Sequence, residues 1–163
     1  MAELTNLESK LGEVIGLAMA AQAATDKISK MVEVDQLSMV LKRMHGEAAK
    51  AEERATEIAG SLEGKKTAIL DEARETKGKG SKMMRTYLDD SSDALDGFEF
   101  LTMAEAGEVG HWKVLRQMAA AGKDTEMVAL AEWQIPIQER HFQDVQAGCL
   151  ALAMEEDPEE PAS

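Results

Sequence analysis

Apolar positions recur at three- and four-residue spacing along most of this chain, and nowhere do they alternate at a period of two. The first such stretch runs from about Glu3 to Met31, with Leu4, Leu7, Leu11, Val14, Ile15, Ala18 and Ala21 on one face. Glu8 falls near the centre of that stripe and Glu13 opposite it. Gly12 and Gly16 cost helix propensity and mark a close approach by a neighbouring helix. A second helix is expected from Val34 or Asp35 to about Ala59, its face made by Leu37, Leu41, Met44, Ala48, Ala51, Ala55 and Ile58. His45 and Glu52 lie on one flank of that face, Glu47 on the other.

The middle of the chain is less regular. Gly60, Gly64 and a Gly78-Lys79-Gly80 loop bracket a short amphipathic piece, about Lys66 to Thr76, carrying Ile69, Leu70 and Ala73. Lys65, Lys66, Lys77, Lys79, Lys82 and Arg85 make it the one basic region, read as a solvated connector, with a patch for an acidic partner as the sharper alternative. A third long helix starts near 91–94, where Ser92-Asp93 offers N-cap oxygens, and ends near Gly122. Its stripe is Leu101, Ala104, Trp112, Leu115 and Ala119, with Glu108 at the centre. A fourth runs from about Thr125 to Met154 on Met127, Ala131, Ile135, Phe142, Val145 and Cys149, with Gln138 at the centre. Pro136 inside it predicts a kink or bulge, which could turn Glu139 inward. The pattern predicts an all-α, antiparallel four-helix bundle over residues 1–154, with a short extra helix in the middle connection. The acidic, Pro-containing tail 155–163 is expected to be disordered.

Composition narrows the chemistry. Hydrophobic residues make up 44% of the 163, enough for a real core, and eleven Met against six aromatics favours helices packed on small and flexible side chains. The net charge of −13 argues against nucleic acid, which requires a basic face. The single Cys149 fits a reducing compartment and, lying on an apolar stripe, reads as a buried inert thiol. There is no basic n-region and no apolar run of about 18 residues, so a soluble, cytoplasmic protein without membrane association is expected.

The three histidines, His45, His111 and His141, fall on three different helices. Glu108-Val-Gly-His111 is a Glu-x-x-His unit, and Gln138-Glu-Arg-His141 is a near-copy. Residues i and i+3 share a helix face, so each unit can aim two donors at one point, as carboxylate-bridged metal centres in helical bundles do. A carboxylate inside an apolar stripe needs a partner, a proton or a metal. The metal-ligand candidates are therefore Glu8, His45, Glu52 (or Glu47), Glu108, His111, Glu139 and His141. Oxygen donors with a few imidazoles suit Fe or Mn. The bland alternative for each is a buried Glu–His or Glu–Arg hydrogen-bond network.

Several segments carry a resemblance. Leu7-Glu8-Ser-Lys-Leu11, Glu47-Ala-Ala-Lys-Ala-Glu52-Glu-Arg54, the connector Glu63 to Ala73, Glu105-Ala-Gly-Glu108 and Gln138-Glu139-Arg140 resemble segments of the ferritin-like superfamily. Within it, the likeness is closest to small bacterial ferritin-like stress-response proteins. The resemblance implies a four-helix bundle, a di-iron or Fe/Mn centre, dimers or higher homo-oligomers, and oxidation of Fe(II) by O₂ or peroxide in stress protection. The chain departs from the pattern at Gln138, where Glu is expected, and on its second helix, which has no Glu-x-x-His. The other expectation is a non-catalytic bundle that acts by protein association, its metal site degenerate or lost.

Overall fold

The computed structural model describes residues 2–162, so the last residue of the expected tail lies outside it. Five helices form, and no strand occurs among the described residues: α1 Asn6–Ser29, α2 Asp35–Ser61, α3 Lys66–Tyr87, α4 Ala94–Ala121 and α5 Thr125–Ala153. Three start as their sequences direct. Thr5 and Glu8 make a capping box at α1, Asp93 and Asp96 make another at α4, and Asp124 caps α5 by accepting from Met127 N–H. At the end of α4 the left-handed residue is Lys123, at φ 57°, while the expected Gly122 stays right-handed.

Cross-contacts give the helix directions. Gln22 meets Glu52 and Asp26 meets His45, so α1 and α2 are antiparallel. Thr102 meets Cys149 and Glu105 meets Gln138, so α4 and α5 are antiparallel as well. Helix α1 is the hub, packed on α2, α3 and α4, while α3 and α4 touch each other least.

The middle connection differs from expectation. It is a 22-residue helix that runs through Gly78 and Gly80. Tertiary packing overrides the propensity cost of about 1 kcal/mol per glycine. A Cβ on Gly80 would lie 2.9 Å from Ala20 Cβ, and one on Gly16 would lie 2.3 Å from the Ala73 carbonyl oxygen. Small residues thus let α3 close along α1 in parallel, through Gly12, Gly16 and Ala20. Nothing in the structure explains Gly78, which faces open space. Pro136 is exposed, and α5 continues through it unbroken.

The core is in two parts. One gathers Leu11, Val14, Ile15, Ala55, Ile69, Trp112, Leu115 and Met127; the other gathers Ile28, Leu41, Met44, Phe98, Leu101 and Val145. Between the two parts each long helix carries polar residues: Gln22 on α1, Glu47 on α2, Glu105 and Glu108 on α4, Gln138 and His141 on α5. A polar layer therefore crosses the bundle near mid-height.

Candidate functional site

The layer holds Glu105, Glu108, Gln134, Gln138 and His141, all buried. Helical spacing puts them there: Glu105 and Glu108 are i and i+3 on α4, and Gln134, Gln138 and His141 follow one face of α5. Gln138 donates to the Glu105 carboxylate, and Gln134 donates to Gln138 Oε1 at 3.1 Å. His141 lies between two carboxylates, its Nδ1 3.6 Å from Glu105 and its Nε2 3.4 Å from Glu47. Arg140 donates to Glu47 from the outer side, and Arg43 links Glu47 on α2 to Asp144 on α5. Burial pushes the Glu47 carboxyl up, but the Arg140 hydrogen bond and the His141 charge outweigh it and hold it below the usual value. Two buried polar side-chain atoms in the described residues have no partner, Gln134 Oε1 and Trp112 Nε1.

Glu108 stands apart from this network. It is 5% exposed and makes no hydrogen bond or ion pair among the described residues. Desolvation, and then the charge of Glu105 beside it, drive its carboxyl well above the usual glutamate value. It borders a cavity of about 270 Å³ between α1, α3 and α4. The α1 wall is Leu17, Ala20, Ala21 and Ala24, all without a polar side-chain atom; Met83 and Met84 of α3 and Phe100 and Leu101 of α4 continue it. Met83, Met103 and Gly107 are its exposed lining residues, which puts the mouth in the seam where α3 and α4 touch least.

The seven expected metal ligands are placed as follows. Glu108 and His141 sit in the layer. Glu8 is remote, at the start of α1, where its carboxylate accepts from Thr5 N–H at 2.8 Å and meets Lys65 Nζ at 3.3 Å. The Thr5 hydrogen bond, against some burial and aided by Lys65, lowers its pKa. Its side chain is only part-buried and serves as a helix cap, not as the core carboxylate expected from the stripe. Glu52 accepts from Gln22 Nε2 at 2.5 Å. His45 lies 3.4 Å from Asp26 with 38% of its side chain exposed. His111 is 42% exposed, at 3.3 Å from Glu13 and at 3.3 Å from Lys10 Nζ, although it also borders the cavity mouth. Glu139 is 45% exposed on the outer face, paired with Lys113 at 2.8 Å, so Pro136 does not turn it inward. Among the described residues no three or more His, Cys, Asp or Glu side chains form a group that could hold a metal ion.

Sequence reasoning gave Glu105 no role of its own and held Glu47 only as the alternative to Glu52 on the second helix. The signal for Glu105 was available, because it is i−3 from Glu108 and so shares its face. No helix of the described residues is long and apolar enough to cross a membrane. Comparison with known proteins finds no matching family model, no similar characterised protein and no similar solved structure.

Proposed function

We propose that this protein is a binding protein for small amphipathic molecules, which enter the α1/α3/α4 cavity with a polar end toward Glu108. The observation that carries this reading is the unpartnered Glu108 carboxyl on the wall of an apolar cavity. Small-molecule sites are concave and mostly apolar, with a few placed polar groups that fix orientation. The Glu108 carboxyl oxygens are not sealed off but reach the cavity, and a ligand's polar group would give them the partner that no side chain of the described residues supplies. Since a dry cavity of about 150 Å³ holds benzene, this one suits roughly ten non-hydrogen atoms. Titration with 1-octanol in a calorimeter tests the reading. Saturable one-to-one binding is expected, lost in the cavity-filling variant Ala104→Phe. Binding that persists unchanged in that variant places the alcohol elsewhere and defeats the proposal.

A second reading rests on the ferritin-like resemblance and on one observation, the burial of Glu105 and Glu108 side by side with His141 across from them. Under it Glu47, Glu105, Glu108 and His141 would have to draw together around iron or manganese, since as placed no three of them form a metal-holding group, and the layer is the metal-bearing slice of a four-helix bundle. Metal content after reconstitution with Fe(II), Mn(II) and Zn(II) tests it. About one ion per chain, lost in both Glu108→Ala and His141→Ala, supports it; a metal-free protein refutes it. The cavity reading stands first because Gln138, Gln134 and Arg140 already satisfy much of the layer, while Glu108 faces the cavity with nothing to bind.

A further inference from the structure

We infer that the ligand class of this cavity is a primary alkylamine, its ammonium held by Glu108 with Glu105 behind it and its chain along the apolar wall. The inference rests on the cavity reading above and names the chemistry of its occupant. Every charged or titratable group lining the cavity comes from one helix: Glu105, Glu108 and His111 of α4. The α1 wall supplies only Leu17 and alanines, and α3 supplies Gly80, Ser81 and two methionines, so no cation lines the cavity wall opposite the carboxyls. Helix α5 approaches Glu105 from the far side, through the Gln138 amide and the His141 ring. At the mouth, His111 is engaged by Glu13 and Lys10 of α1. The interior end of the cavity is thus acidic, 5% exposed at Glu108, and lacks a cation of its own.

Three ligand heads can be ranked on this wall. A carboxylate could accept a hydrogen bond from a protonated Glu108 but meets the charge of Glu105 behind it, with no cation on the wall to offset it. A hydroxyl makes one neutral hydrogen bond. An ammonium makes charge-assisted bonds, which are about twice as strong as neutral ones. Its entry also supplies a positive charge that favours the ionised form of Glu108, against the burial and the Glu105 charge that disfavour it. The apolar wall then covers the alkyl chain.

Calorimetric titration with n-octylamine, 1-octanol and octanoate, on the full chain at pH 7, tests this. The amine is expected to bind at least about tenfold tighter than the alcohol, a difference of about 1.4 kcal/mol, with octanoate weakest. The upward shift of the Glu108 carboxyl predicts proton release on amine binding, at most one per amine, read from the binding enthalpy in two buffers of different ionisation heat. In Glu108→Gln, checked for folding by circular dichroism, the amine preference over the alcohol should fall to within about threefold, and any proton release should vanish. Alcohol binding equal to or tighter than amine in the parent overturns the amine assignment and leaves the cavity reading intact. So does an amine preference that survives Glu108→Gln. Binding of none of the three overturns both.

Discussion

The side-chain amide of Gln138 donates to the carboxylate of Glu105 across the contact between α5 and α4. An amide can donate to a carboxylate and accept from Gln134 at once, and it does both. A carboxylate at position 138 could do only the second. Gln138→Glu is therefore expected to destabilise the fold at pH 8 by about 3 kcal/mol, the order of a broken buried polar pair. A carboxyl there would have its pKa raised by Glu105, so the loss should be smaller at pH 5, where the added group is protonated and can donate again. Urea unfolding at the two pH values checks it; equal losses would mean that the Gln138–Glu105 contact is not the cause.

Glu108 gives the parent protein a pH dependence of definite sign. Its folded-state pKa lies well above the usual 4.5, because burial and the neighbouring Glu105 disfavour its charge. Folding then favours the protonated form. Its effect is absent below the usual value, and stability falls as pH rises from there toward the folded pKa. Glu47 acts the other way: its pKa is lowered, so the stability it supplies is lost as pH falls below the usual range. Glu108→Gln should leave thermal stability near pH 4 almost unchanged and raise it at pH 8 relative to the parent. A variant less stable than the parent at pH 8 would show that the carboxylate has a stabilising partner.

The α1–α3 seam separates two kinds of glycine. A Cβ on Gly16 would sit 2.3 Å from the Ala73 carbonyl oxygen, a backbone atom that cannot step aside. At Gly46, Gly107 and Gly110, all three helical, an added Cβ would meet nothing within 4 Å. Gly16→Ala is expected to cost about 2 kcal/mol by forcing the helices apart. Alanine at Gly46 or Gly110 should stabilise by about 0.5–1 kcal/mol through helix propensity and reduced chain entropy. Denaturant midpoints of the single variants decide the matter, and a neutral Gly16→Ala would contradict the close seam.

Much of the fold was legible in the hydrophobic pattern. Leu11, Ile15, Leu41, Met44, Trp112, Leu115, Met127 and Val145 are buried where period 3.6 puts them. The length of α3 was not legible, because Gly78-Lys79-Gly80 reads locally as a loop, and only the packing of Gly80 on Ala20 shows otherwise. For the site, the burial of Glu108 and Gln138 followed from their stripes, whereas that of His141, off the centre of its stripe, did not. Glu8 also lay on its stripe, yet it belongs to the first helical turn, where a carboxylate finds free backbone N–H groups and caps instead. His111 failed for another reason: a residue roughly 60° off a stripe centre can reach either the core or the rim, and here Glu13 holds it at the rim. Glu139, about 100° off its stripe centre, stays at the rim with Lys113 because α5 continues through Pro136 without turning it inward.

The methionines allow the most direct test of the central claim, occupancy of the α1/α3/α4 cavity. Met83, Met84 and Met103 line it, whereas Met39 and Met154 are exposed elsewhere and Met127 lies in the other core. Methyl NMR of protein labelled at the methionine methyls, recorded during titration with n-octylamine, reads all of these sites together. The account predicts saturable shifts at Met83, Met84 and Met103, with Met39, Met127 and Met154 unmoved. Shifts confined to Met39 or Met154, or no shift at the three cavity methyls at saturating amine, would contradict it.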